Sequence, residues 1–241
     1  IQELNDVVIV FLNFVVSKFG PVAIFMLLTR TFASYGVEHL KPAVAYVILT
    51  VALLLIFLII GYPAFIAIFA HLDPFKFAKK ITRVAVFGFS TSSSAATLPL
   101  NVKTTVEELG VDEKIASFVL PLGMTINMNG TAIMQVIATL FIAGCAGYSI
   151  SFTQLVVIAL LALIASAGTP AAPGSGAIIL FTILSGLGYV NDAAMLAYSL
   201  ILAINRPIEM LVTALNVVGD SATSIYVAKS EGVLNEDVYN A

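Results

Sequence analysis

Asn205, Glu209, Asn216 and Asp220 follow one another at spacings of four, seven and four residues. Those spacings put all four on one stripe of a helix, with Val212 on the same stripe. The surrounding residues are apolar enough to cross a membrane, where a carboxylate is costly and marks function by default. Glu209 has a purely structural alternative, a pair with Arg206 three residues earlier. Asp220 has no basic residue within a turn, Lys229 being more than two turns away. Its own alternative is a helix-end carboxylate at the membrane interface, near the polar tail. A second cluster, Gly123-Met124-Thr125-Ile126-Asn127-Met128-Asn129-Gly130-Thr131, interrupts another apolar segment. Irregular backbone at membrane depth is tolerated only where it is buried in protein or lines a cavity. Asn127 and Asn129 could simply glue helices together. Two asparagines bracketing Met128 ahead of Gly-Thr point instead to an unwound turn, whose amides and freed carbonyls suit a small cation or a zwitterion.

Composition narrows the class. Of 241 residues, 60% are hydrophobic and 10% charged, against about 25% charged in soluble domains, and the mean hydropathy is +1.04. The chain reads as an all-helical, multi-pass protein of the cell membrane, its partner the lipid bilayer. A net charge of -3 gives no reason to expect nucleic acid. Cys145 is the single cysteine, which excludes an internal disulfide and a cysteine metal cluster. His39 and His71 stand apart with no ligand-type neighbours. Ser92, Ser93 and Ser94 lack both a Gly-x-Ser-x-Gly frame and a histidine at depth, so an enzyme is not expected. No signal peptide is visible, and the chain opens in mid-structure, so further segments are expected upstream.

The elements that must position these residues can be read from run lengths. Val7–Phe32 and Ala43–Ala70 are long apolar runs, the second with Pro63 as a possible kink. Lys79, Lys80 and Arg83 follow on a short amphipathic stretch, the densest positive cluster, expected on the cytoplasmic side. Two half-length arms around Ser90–Thr97 predict a re-entrant hairpin over 84–106, since neither arm reaches the roughly 20 residues of a full span. A broken helix is expected over 114–143. A second hairpin over 152–188 carries a Gly/Pro-rich tip from Ala167 to Ser175, and one long polar helix over 193–228 precedes a polar tail. Paired interrupted segments of this kind are a pointer to secondary transporters. Re-entrant loops also build channels, which keeps a pore as the rival class.

Four motifs then occur in order: Ser92–Pro99, Pro121–Thr131, Gly168–Gly176 and Asn216–Asp220. Together they resemble the C-terminal part of the glutamate transporter family of dicarboxylate/amino acid:cation symporters. The resemblance implies a homotrimeric elevator carrier, with residues 1–36 in the static scaffold and 37–241 in the moving transport domain. It implies sodium as the coupling ion and no further cofactor. It places Gly123, Asn127, Asn216 and Asp220 at a first sodium site. Thr125 and the carbonyls of Ser166 to Thr169 fall at a second. Ser94, Thr131, Gly176 and Asn216 match substrate-contacting positions, with Thr169 on the gating tip counted among them. Glu209 stands where the family carries an aspartate for the substrate's amino group. Two departures from the family pattern matter, one for the cation and one for the substrate. Asn129 replaces an aspartate that resembles part of a third sodium site. Val212 replaces the arginine that grips an acidic side chain. The expected substrate is therefore a neutral amino acid moved with sodium, with proton-coupled or ion-independent transport as the alternative.

Overall fold

The computed structural model describes residues 40–241 and five isolated earlier positions, Lys18, Val22, Phe25, Met26 and Thr29. Apart from those five positions, the expected scaffold segment 1–36 lies outside the described residues, as does His39. The described chain is helical, with no strand. Its most polar long helix is at the centre and its most apolar one is at the surface. Few residues of the strongly apolar run Ala43–Ala70 are buried, whereas most of Arg206–Ser230 is. Burying the polar stripe in protein and turning aliphatic side chains outward suits a hydrocarbon solvent. Ile48, Ile59, Ile60 and Ile68 accordingly lie exposed on the first rod.

That rod comprises α1 (Leu40–Ile56), a π turn (Phe57–Gly61), α2 (Tyr62–Phe65) and a second π turn (Ile66–Ala70). Pro63 has no N–H to give its helix, and the wider turns on either side absorb the missing bond. Next, α3 (Pro74–Thr91) and α4 (Ser94–Glu107) pack against each other as the first hairpin. The basic stretch and the first arm, expected as separate pieces, form one helix of 18 residues. Asp73 caps it, accepting from Phe75 N at 2.8 Å, and no breaker intervenes before Ser92 turns left-handed at φ 50°.

The broken helix is α5 (Glu113–Ile126) and α6 (Asn129–Cys145), and the second hairpin is α7 (Phe152–Ala167) and α8 (Ser175–Leu187). The long final helix is in fact two, α9 (Asp192–Ile204) and α10 (Arg206–Ser230). Pro207 forbids a continuous ladder there, so Asn205 becomes a hinge, its N–H still reaching Ile201 O at 2.9 Å. Among the described residues three helices are long and apolar enough to cross a membrane, Ala43–Ala70, Glu113–Cys145 and Arg206–Ser230.

The polar tail is also more ordered than its composition implies. A short helix, α11 (Glu236–Asn240), docks on the base of the first hairpin. Its Tyr239 is 0% exposed and donates its hydroxyl to Asp73 O at 2.8 Å. Lys80 Nζ gathers the carbonyls of Glu108, Val238 and Tyr239 at 2.9, 2.8 and 2.9 Å. One lysine thus joins both arms of the hairpin to the tail. Tyr239→Ala should empty this socket and cost about 3 kcal/mol, the range for truncating a buried aromatic. A midpoint of thermal unfolding equal to that of the parent protein would contradict that.

Candidate functional site

The tips of the two hairpins, the break in α5–α6 and the middle of α10 converge on one cavity. Ser94, Thr131, Thr169, Gly176, Glu209, Val212 and Asn216, all expected from the sequence to meet a substrate, line it together. Ser94 opens α4, where Ser93 caps the helix by accepting from Ala96 N at 3.2 Å. A helix N-terminus with unpaired N–H groups therefore faces the cavity, ready for an anion. The Ser92 hydroxyl, also in the wall, is buried and has no partner among the described residues.

Asn216 locks the break onto α10. Its Oδ1 accepts the N–H of Gly130 at 2.8 Å, and its Nδ2 donates to Thr131 Oγ1 at 3.1 Å. Gly130 N–H is thereby diverted from its helical acceptor, which is how the chain unwinds without orphaning a buried donor. Asn127 and Met128 carry the non-helical backbone, at φ -90°, ψ 72° and φ -106°, ψ 51°.

On the other side of the break lies Asp220, 2% exposed. Its Oδ1 accepts from Asn127 Nδ2 at 2.9 Å, and no lysine or arginine pairs with it among the described residues. Gly123 presses against this carboxylate: a Cβ at 123 would stand 2.6 Å from Asp220 Oδ1. One carboxylate among neutral oxygens and amides fits a monovalent cation better than a divalent one, which collects several carboxylates. No cluster of three His, Cys, Asp or Glu occurs among the described residues.

Asn129 Nδ2 donates to Asn127 Oδ1 at 2.8 Å and to Tyr62 Oη at 3.1 Å. An amide occupies this corner with its donors directed at two oxygens, so the corner is satisfied without a cation. Thr125 does not join the group: it is exposed, and its hydroxyl donates back to Leu122 O at 2.7 Å. Ser166 is buried with its hydroxyl on Leu163 O, and Thr169 Oγ1 donates to Ala165 O. Both hydroxyl hydrogens are thus engaged within α7.

Glu209, 7% exposed, accepts the N–H of Ala177 at 3.2 Å through Oε1. Arg206 Nη1 lies 3.9 Å from its Oε2, so the structural pairing open at the sequence level is present. Val212 is buried in the same wall.

Several contributors are silent in a motif reading. Tyr62 brings its hydroxyl across from the apolar rod, and a Cβ on Gly219 would collide with that hydroxyl and stand 2.9 Å from Asn127 Nδ2. Only glycine lets the rod and the break approach α10 this closely. Gly219→Ala should therefore spread them and lose about 1 to 3 kcal/mol, the usual cost of overpacking. An unchanged unfolding midpoint would argue against this tight contact. Tyr46 Oη donates to Asn205 Oδ1 at 2.6 Å, fixing the hinge before Glu209. A phenol hydroxyl inside a strongly apolar run is the available signal for both tyrosines.

A polar cavity thus lies under two hairpin tips, backed by a broken helix and a buried carboxylate and wrapped in apolar helices. The chain belongs to the Sodium:dicarboxylate symporter family, whose profile matches residues 1–230. It is 31% identical over 223 residues to the proton/sodium-glutamate symport protein of Bacillus caldotenax, covering 92% of this chain and 51% of that protein. It is 32% identical over 221 residues to an excitatory amino acid transporter of Caenorhabditis elegans, covering 90% and 43%. It is 34% identical over 176 residues to human excitatory amino acid transporter 1, covering 73% and 32%. The chain thus spans about half the length, or less, of these relatives.

Proposed function

We propose that this chain carries the substrate and cation sites of a sodium-coupled symporter for a neutral amino acid. The Bacillus caldotenax relative is a glutamate symport protein by name, whereas Val212 stands in the cavity wall of this chain, where the family resemblance leads one to expect an arginine for an acidic side chain. One turn after Glu209, on the same helix face, the cavity wall is a buried valine, so a second carboxylate would enter without a cation to pair with, a costly burial. An apolar or small side chain fits there. Ser94 and Asn216 hold the α-carboxylate, helped by the N-terminus of α4, and Glu209 takes the ammonium group. Asp220, Asn127 and the Gly123 backbone hold sodium on the far side of the break. Because Asn216 ties the break to the cavity wall, the order produced by sodium is transmitted directly to the substrate side.

Asn129 favours a second reading, in which sodium is replaced by a proton or by no ion at all, because the amide closes one cation corner. Binding of a neutral L-amino acid titrated at fixed pH with sodium or with choline separates the two. Sodium dependence supports the first reading and indifference supports the second. In the same reading residues 37–241 move as a transport body against a scaffold that includes 1–36, in a trimer. Native mass spectrometry of the full-length protein in detergent tests the assembly, a monomeric mass counting against it.

A further inference from the structure

Glu209 is bonded to the second hairpin as well as facing the cavity. The Ala177 N–H that its Oε1 accepts belongs to the first turn of α8, where backbone donors have no helical acceptor and an anion is favoured. Glu209 Oε2 and Oε1 also lie 3.9 Å from where side chains on Gly174 and Gly176 would begin. The carboxylate therefore sits in the mouth of that turn. With Glu209 so placed the cavity measures about 30 Å³, against roughly 10–15 Å³ needed for one water on that measure. It admits waters, and an amino acid gains room as Glu209 and the hairpin part. Two further bonds seat the same hairpin, Gln135 Nε2 to Gly176 O at 3.2 Å and Ser93 Oγ to Ala171 O at 3.0 Å.

We infer that Glu209 is an internal stand-in for the substrate's carboxylate, latching the second hairpin shut through Ala177 N–H when the carrier is empty. A symporter that performs net uptake must return without cargo, and it can do so safely only with its gate closed. When an amino acid arrives, its ammonium draws Glu209 away, and the hairpin's N–H groups pass to the substrate's own carboxylate. One carboxylate is exchanged for another, so the hairpin closes over cargo and also over none, but is released in between. This inference rests on the proposed carrier function. Length matters: an aspartate would draw the carboxyl back by about 1.5 Å, beyond reach of Ala177 N.

Opening of the hairpin can be read without any amino acid present. In full-length protein the cysteine at 145 is replaced by serine and a reporter is placed by Met134→Cys. Met134 is 0% exposed and lines the cavity beneath the hairpin. The rate of modification by a small water-soluble methanethiosulfonate is then measured in sodium-free liposomes. Ala177→Pro deletes only the N–H, since the first helical turn tolerates proline and Gly176 presents no Cβ to its ring. It should speed modification about tenfold, the equivalent of one charge-assisted hydrogen bond. Glu209→Ala, which removes the accepting oxygen, should do the same. Equal rates in parent and both variants would overturn the latch. Uptake of a panel of labelled L-amino acids into the same liposomes judges the carrier reading separately, so loss of one conclusion is not mistaken for loss of the other.

Discussion

Asp220→Asn should abolish the stimulation of substrate binding by sodium, weakening the sodium-dependent affinity roughly a hundredfold or more. That magnitude follows from removing one member of a buried charge pair, about 3 to 5 kcal/mol. The expectation comes from the isolation of the carboxylate: Asp220 is buried and, among the described residues, is bonded through its carboxylate to Asn127 alone. Asparagine keeps the volume and removes an unpaired charge, so the fold without sodium should not suffer. What should vanish is the rise in unfolding temperature on adding sodium, because only a ligand that binds the folded state raises it. Gly123→Ala gives the complementary result. Its methyl group would stand 2.6 Å from Asp220 Oδ1, in the space a cation needs, while the charge stays. Sodium stimulation that survives both substitutions would move the cation site elsewhere.

Val212→Arg carries the second large effect. A guanidinium at 212 would rise from the cavity wall one turn after Glu209, on the same stripe, and could pair with it in the absence of substrate. The variant should gain binding of L-aspartate or L-glutamate, because the fork can grip a side-chain carboxylate in two parallel bonds. It should lose affinity for apolar substrates by about tenfold or more, as a charged group replaces the apolar contact surface. Competition of unlabelled aspartate against a labelled neutral amino acid measures both changes at once. Neutral binding that persists with no gain for aspartate would contradict the pocket assignment.

Much of this arrangement was legible in the chain because the bilayer penalises polar groups so heavily. The break at Asn127–Met128 and the two hairpins announce themselves as polar or Gly/Pro-rich residues where lipid permits none. The stripe from Asn205 to Asp220 is legible for the same reason. What was hidden depends on tertiary contact or on local chemistry masked by context. The hinge at Asn205 arises from Pro207 inside a run already read as a polar helix, so the proline was absorbed into the pattern. Thr125 carries a suitable oxygen, but it is exposed and its hydroxyl donates to Leu122 O. The tail reads as polar because Val233, Leu234, Val238 and Tyr239 are interspersed among charged and amide residues. Its socket is assembled by Lys80 and Asp73, 159 and 166 positions away from Tyr239 in the chain. The Glu209 contact with Ala177 joins two elements whose motifs are separately legible and whose bond is not.

The most direct test is a binding titration on the full-length protein in detergent, using a panel of L-amino acids with sodium or with choline. Saturable binding of small or apolar L-amino acids is expected only with sodium, with weak or no binding of aspartate and glutamate. Tight aspartate or glutamate binding, or neutral binding indifferent to sodium, would contradict that expectation.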